Sequence, residues 1–414
     1  PSSHPFPMQN MEDHPERQLK RATKHAMEKY DKDPIPFPPK SKSRPNKLRI
    51  GYFSADFREH PVSRQISNLL ATHNRKNVEI YAYSFKQAND EMRQRIIDAV
   101  DHFKDVSGMS DRDVAALARK DNIDIGIDLM GYTKNSRTAI FAFRAAPIQI
   151  LYLYESTMGA NFIDYIIADT TIIPYRLAHL YQEKIIYLPN SFMPTDNTRE
   201  IPNREITRKA MGLPENGFVF CCFNANYKIL PREFDIWMRL LLKVEDSVLW
   251  LKQSNQVAKD NLQKEAQLRG IDPSRLVFAD RVSMEEHLAR HKLADLFLDT
   301  FNFNAHSTAT DSLWAGLPVI TKIGKQSFAR IAASSLKAIG LTELITKTDR
   351  DYEALALELA TDQERLHQIT RKLKDNRDTT PLFDSESYTR NLEKAFEKAY
   401  ELYHTGSSPK NIYI

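Results

Sequence analysis

Leu296-Phe-Leu-Asp-Thr-Phe-Asn-Phe-Asn-Ala-His-Ser-Thr-Ala-Thr-Asp-Ser-Leu-Trp-Ala-Gly316 holds the reading on which the fold turns. A short apolar run, Leu296–Asp299, reads as a strand. A polar loop follows, and a helix begins near Ser307 and covers Thr308–Ala315. The same strand–loop–helix unit recurs on both sides. Phe218–Phe223 (FVFCCF) precedes Pro231–Val244, a helix opened by proline in its first turn. Ser247–Leu251 precedes Val257–Gly270, Leu276–Ala279 precedes Met284–His291, and Val319–Thr321 is a further strand. Strands apolar throughout and separated by helices predict a parallel sheet covered on both faces.

The first half of the chain alternates in the same way. Lys47–Ser54, Val78–Phe85, Ile123–Leu129, Pro147–Leu153 and Tyr165–Ala168 read as strands, and Asp90–Phe103 and Asp111–Lys120 as helices. Ahead of them Leu19, Ala22, Ala26 and Tyr30 recur at helical spacing, followed by the Pro-rich linker Asp33-Pro-Ile-Pro-Phe-Pro-Pro-Lys40. The expected organisation is an N-terminal extension over 1–46, one Rossmann-like domain over 47–205 and a second over 206–414. The last long helix is Ser385–His404. Two doubly wound halves predict a cleft between them, with ligands beyond the carboxyl ends of the strands.

The charge balance over 414 residues is 58 − 54 = +4, which argues against a nucleic-acid partner. No apolar run approaches the ~18 residues of a membrane span, and the polar start carries no signal-peptide pattern. Cys221 and Cys222 are neighbours in one strand and point to opposite faces, which excludes a disulfide framework or a zinc site. A cytoplasmic setting follows. The chain contains neither a GxG nor a GxxxxGK[ST], so nothing supports a dinucleotide fingerprint or a P-loop. The three Asp-x-Asp triplets, at 31–33, 111–113 and 349–351, fall in a linker or at helix starts and read as capping or surface residues.

Four constellations remain, all after strands or at helix starts. Around His306, Ser307 and Thr308, hydroxyls and free N–H groups at a helix start form an anion site or a simple cap. Asp311, one turn on, either accepts sugar hydroxyls or sits there for the dipole. Lys228, in the turn after Phe223, reaches a phosphate or is solvated. His287 and Arg290 share a helix face that either lines a base or is exposed. His60, after the first strand, is a proton acceptor, an acceptor-orienting group or incidental.

Taken in order, several segments over about 47–405 resemble the catalytic region of the O-linked N-acetylglucosamine transferase family. They include Gly51-Tyr-Phe-Ser-Ala-Asp-Phe…His60-Pro, Gly131-Tyr-Thr-Lys…Arg137, Ala146-Pro-Ile-Gln149 and Asp164-Tyr-Ile-Ile-Ala-Asp169. Further on come Tyr227-Lys228-Ile, Glu285-Glu-His287, Ala294-Asp-Leu-Phe-Leu-Asp-Thr300 and His306-Ser-Thr…Asp311-Ser-Leu-Trp-Ala-Gly316. The resemblance, of the bacterial type, implies a GT-B fold and an inverting, metal-independent transfer of N-acetylglucosamine from UDP-GlcNAc to Ser or Thr of a protein or peptide. No cofactor is implied. His306, Ser307 and Thr308 would hold the diphosphate, and Lys228 would neutralise the leaving UDP. His287 would stack on uracil with Arg290 beside it, Asp311 would bind ribose, and His60 would lie near the acceptor hydroxyl. The loop Tyr154-Glu155-Ser156-Thr157 replaces the family's Gly-Tyr-Pro-Gly-Thr turn at the sugar and acceptor. A tetratricopeptide-repeat module, common in the family, would be missing or separate. The alternatives are another donor on the same fold (UDP-glucose, another UDP-hexose or GDP-fucose) and a weakly active UDP-binding interaction module. The GDP-fucose branch tends to lack residues matching His306 and Asp311, which favours UDP.

Overall fold

The computed structural model describes residues 3–37, 43–154, 156–203 and 206–414. Two compact units result: Pro1–Thr198 with Phe383–Ile414, and Arg199–Leu382.

The first unit opens with two helices, α1 (Pro5–Met11) and α2 (Pro15–Lys29). Then come β1 (Leu48–Ser54), α3 (Pro61–Thr72), β2 (Val78–Ser84), α4 (Glu91–Ala99) and β3 (His102–Asp105). The series continues with α5 (Asp111–Lys120), β4 (Ile125–Asp128), α6 (Ala139–Ala142), β5 (Ile148–Leu151), β6 (Tyr165–Ala168) and β7 (Lys184–Tyr187). The second unit contains β8 (Val219–Cys222), α7 (Pro231–Lys243), β9 (Val248–Lys252), α8 (Gln256–Leu268), β10 (Leu276–Ala279) and α9 (Met284–Arg290). After these come β11 (Leu296–Leu298), α10 (Ser307–Trp314), β12 (Val319–Lys322), α11 (Ile331–Ala338), β13 (Ile345–Thr346), α12 (Asp349–Thr361) and α13 (Gln363–Arg377). The chain then returns to the first unit for α14 (Ser385–His404) and β14 (Ile412–Tyr413).

Both sheets are parallel. The second runs β10-β9-β8-β11-β12-β13 and the first β3-β2-β1-β4-β5-β6-β7-β14. The order reverses between β8 and β11, and between β1 and β4, as in a Rossmann fold, where ligands sit beyond the strand ends at the switch point. The strands are nearly all buried, as Val219, Phe220, Cys221 and Cys222 in β8 illustrate. Burial raises both cysteine thiols, so they are packing residues.

Three sequence expectations need correction. The boundary expected at 205/206 falls at 198/199, and 383–414 joins the first unit. Helix α14 buries Leu392, Ala395, Phe396 and Ala399 against α3 and β5, and β14 extends the sheet beside β7. A buried hydrogen-bonded chain fixes it: Tyr52 Oη meets His73 Nε2 at 2.8 Å, and His73 Nδ1 meets Glu393 at 2.9 Å. The extension is likewise part of this unit. The helix expected over Asp90–Phe103 stops at Ala99, and His102–Asp105 instead pairs with β2 as an edge strand.

Helix α2 forms where its spacing predicted, and buries Ala22 and Ala26 together with Gln18 and His25. Its seat is Gly159. A Cβ there would stand 2.3 Å from the Thr23 nitrogen, at a φ of +60°. Gly159→Ala combines that clash with a left-handed alanine, and should cost about 3 kcal/mol, lowering the melting of this unit by roughly 5–10 °C. Gly406→Ala is the control, because Gly406 has the same sign of φ and nothing within 4 Å. Equal shifts for the two variants would show that α2 does not rest on Gly159.

Among the described residues no helix is long and apolar enough to cross a membrane. The Asp-x-Asp triplets at 111 and 349 open α5 and α12, where Ser110 and Thr348 cap the Asp113 and Asp351 amides.

Candidate functional site

In the second unit, the loops after β8 and β11 bring Lys228 and His306 together. Lys228 ends a 3-10 turn and is only 8% exposed. Its Nζ donates to the Asn304 carbonyl at 2.9 Å and lies 3.8 Å from the centre of the Phe303 ring. The other side of this aromatic group is His306, whose ring centre is 5.0 Å from Phe303 and 5.3 Å from Phe328. Burial and the Lys228 charge hold the His306 imidazole well below its usual range, so it is neutral. Its Nε2 is buried without a hydrogen-bond partner, the situation a ligand oxygen would relieve. Ser307 and Thr308 form the first turn of α10, next to these two groups, where backbone N–H groups are unsatisfied within the helix.

The loop geometry comes from Asp299, which sequence reading left as a strand terminus. Its fully buried carboxylate accepts from Thr300 N (2.9 Å), Ala305 N (2.6 Å), Asn224 Nδ2 (3.2 Å) and Thr321 Oγ1 (2.7 Å). Burial pushes this carboxyl up to about 7 against the pull of those donors. Asp299 thus ties the β8 loop to the β11 loop, and Asn304 holds Lys228. The only sequence signal was an acid ending an apolar strand.

His287 and Arg290 meet as their spacing predicted. Arg290 donates to His287 Nδ1 from Nη2 at 2.7 Å and from Nε at 3.1 Å, and Nη1 donates to the Asp280 carbonyl at 2.7 Å. A guanidinium only donates, so His287 carries its proton on Nε2. Arg290 is buried and lies 5.0 Å over Phe223, which makes it the support of His287 and not an exposed wall. His291 packs behind, fully buried, with burial pushing it down to about 4.

Asp311 is buried on α10, and its carboxylate is held by Arg199, a residue sequence reading missed.

His60 stands in the first unit, at the N-cap of α3, on the loop after β1. Its Nδ1 accepts from Val62 N at 3.3 Å and lies 3.5 Å from Asp56. Burial lowers its pKa; Asp56 opposes the shift and Arg58 and Arg64 reinforce it. With Nδ1 accepting, the neutral ring carries its proton on Nε2. Asp128, at the end of β4, is a second acid absent from the sequence reading. One oxygen accepts from Met130 N (2.8 Å) and Gly131 N (3.2 Å), and the other is buried without a partner.

The loop after β5 is partly scaffold. Leu153 adopts a left-handed φ of 65°. Tyr154 packs on Gly131, where a Cβ would stand 3.0 Å from the tyrosine Cβ, and its ring is 6.1 Å from that of Phe6. Thr157 is buried and donates to Glu183 at 2.7 Å, so its hydroxyl faces inward. Ser156 is half-buried, and Glu155 lies outside the described residues. Among the described residues no group of three or more His, Cys, Asp or Glu is placed to hold a metal ion.

The chain matches the model of glycosyl transferase family 41 over residues 1–205 and 198–392. It is 38% identical over 390 residues to the probable UDP-N-acetylglucosamine–peptide N-acetylglucosaminyltransferase SEC of Arabidopsis thaliana, covering 92% of this chain and 40% of that protein. It is 30% identical to the UDP-N-acetylglucosamine–peptide N-acetylglucosaminyltransferase of Caenorhabditis elegans, covering 87% of this chain and 41% of that one. The chain thus spans about 40% of the length of these relatives. Among solved structures, a lysine-to-methionine mutant of Thermobaculum terrenum O-GlcNAc transferase aligns with a TM-score of 0.87 at 28% identity, over 95% of this chain and 75% of that one.

Proposed function

The chain belongs to glycosyl transferase family 41, a family of GT-B glycosyltransferases, and from that premise we propose that it transfers N-acetylglucosamine from UDP-GlcNAc to Ser or Thr hydroxyls of a protein, by inversion, without a metal, in the cytoplasm. In this reading the anomeric C–O bond to the diphosphate breaks as a new bond forms to the acceptor oxygen from the opposite face. The acceptor hydroxyl releases its proton to solvent and UDP leaves with the bonding pair. The observation that carries it is the convergence of buried Lys228 and the unpaired Nε2 of His306 at the start of α10. A lysine and helix-start N–H groups are what a leaving diphosphate needs where no metal neutralises it. Ser307 and Thr308 bind its oxygens, His287 stacks on uracil with Arg290 fixing its tautomer, and Asp311 takes the ribose.

Intact-mass analysis of acceptor protein incubated with the chain and UDP-GlcNAc tests the reading. The expected product is the acceptor plus one N-acetylhexosamine, formed equally well in EDTA. Loss in EDTA with recovery on adding Mn²⁺ would overturn the metal-independent part. Transfer from UDP-glucose or GDP-fucose but not UDP-GlcNAc would overturn the donor.

His60 acts in this scheme as an orienting donor. Its acid form would exchange the Val62 contact for Asp56 and turn the ring. Because its pKa is lowered, kcat/KM should stay level as pH falls from 8 through 6.5, and decline only below that. His60→Asn keeps an N-cap acceptor and should abolish the acid limb. An unchanged limb in that variant would exclude His60.

A further inference from the structure

We infer that Arg199 is the positioning residue through which the enzyme reads the ribose of its nucleotide, an inference that rests on the nucleotide-sugar reading above. Arg199 is the residue at which the second unit begins, and nothing in its local sequence marks it. The structure clamps it on one face of α10 at two points three residues apart. Its guanidinium pairs with the Asp311 carboxylate, the two side chains being 12% and 11% exposed. The Arg199 carbonyl accepts from Trp314 Nε1 at 3.2 Å, and the guanidinium carbon lies 5.8 Å from the Trp314 ring centre. Main chain and side chain are thus held together, which fixes the rotamer of a long side chain that would otherwise wander.

The consequence falls on Asp311. Arg199 Nη1 binds Oδ1, and a carboxylate has about four lone-pair sites, so accepting capacity remains for hydroxyl donors. Buried, that carboxylate needs a counter-charge. His291, which feels the Asp311 charge, is itself neutral, since burial pushes it down to about 4. Arg199 therefore supplies the counter-charge to Asp311 and aims it. A ribose offers two vicinal hydroxyls, which an aimed carboxylate accepts and an unaimed one does not. Removing either hydroxyl leaves the acceptor underused, and a site built to bond a hydroxyl discriminates strongly against analogues lacking it.

The test is calorimetric binding of UDP, 2′-deoxy-UDP and 3′-deoxy-UDP to the full chain and its variants, with melting temperatures alongside. The unaltered chain should favour UDP over at least one deoxy analogue by about tenfold or more, the scale of one lost hydroxyl contact. Arg199→Met should bring that ratio to about one, matching Asp311→Asn, and the double variant should add nothing further. Arg199→Lys, which keeps the charge, should restore much of the preference, a rescue that a role in packing alone would not give. Arg199→Gln provides the neutral comparison should the methionine variant fail to fold. A preference surviving in Arg199→Met or Arg199→Gln overturns the proposal while leaving the nucleotide reading intact. UDP binding with no preference in the unaltered chain removes Asp311 from the ribose, and Arg199 with it. No binding of UDP at all overturns the nucleotide reading itself.

Discussion

Replacing Lys228 by Met should lower kcat by roughly 10²-fold or more while leaving the fold in place. Methionine keeps an unbranched stem and removes the charge together with the Nζ donation to the Asn304 carbonyl. That charge is fixed in a desolvated position: Lys228 is 8% exposed, its Nζ held by the Asn304 carbonyl at 2.9 Å and poised over the Phe303 ring. In low dielectric a fixed cation interacts more strongly with charge that develops on the leaving diphosphate than with the intact sugar nucleotide, so its loss shows in kcat. The affinity for UDP-GlcNAc should change less than tenfold. Arginine should not rescue, because its planar fork cannot occupy the place of a compact ammonium between a ring face and a carbonyl. Single-turnover measurements with saturating donor check this, and a near-normal rate in Lys228→Met would remove the residue from the mechanism.

The second large effect is expected from Asp299, which touches no substrate. Asp299→Ala strips the acceptor from Thr300 N, Ala305 N, Asn224 and Thr321 in one step, all of them buried. Breaking a buried polar network of this kind costs about 3–5 kcal/mol. In a unit of this size that is a fall in melting temperature of roughly 10 °C, measured by calorimetry. UDP affinity should fall in the same variant, since the loop that Asp299 pins carries Asn304 and His306. Asp299→Asn keeps the shape but turns an NH₂ toward at least one donor, and should lie between. The raised pKa adds a sign that can be checked. A carboxyl at about 7 in the folded chain, above its ordinary value near 4, favours folding when protonated. Its contribution is complete below about pH 4 and is lost as pH rises toward and through 7. The difference in stability between the unaltered chain and Asp299→Asn should therefore narrow from acid to neutral pH.

Much of the candidate site could be read along the chain because the relevant pairs are local. His287 and Arg290 are one helical turn apart, and their contact is a matter of helix geometry. His306, Ser307 and Thr308 fall at the helix start that their own hydroxyls and the preceding strand announce. Lys228 was locatable by the same rule, since a residue in the turn after a buried parallel strand lies at the ligand-binding end of the sheet. What the local reading could not distinguish was function from capping or solvation. What separates Lys228 from a solvated surface lysine includes Phe303 and Asn304, contributed by a loop some 76 residues away.

The alternation of apolar strands with amphipathic helices was sufficient by itself for two Rossmann-like sheets, because hydrophobic period and strand burial are properties of short windows. It failed where the determinant lies outside any window. Helix α14 belongs to the first unit because Glu393 reaches His73 across 320 residues. Asp311 is held by Arg199 across 112. Asp299 draws its donors from the β8 loop, its own loop and β12. Each is a buried charge or buried polar chain whose partner is chosen by proximity in the folded molecule. An unpaired buried charge costs several kcal/mol and a paired one much less, so the fold must supply the partner, yet the pairing leaves no periodic trace in the chain. Sequence determined the alternation of strands and helices and which of their ends hold the candidate site; only the tertiary structure decided which carboxylates brace that site, because the energy that fixes them comes from burial beside residues far away along the chain.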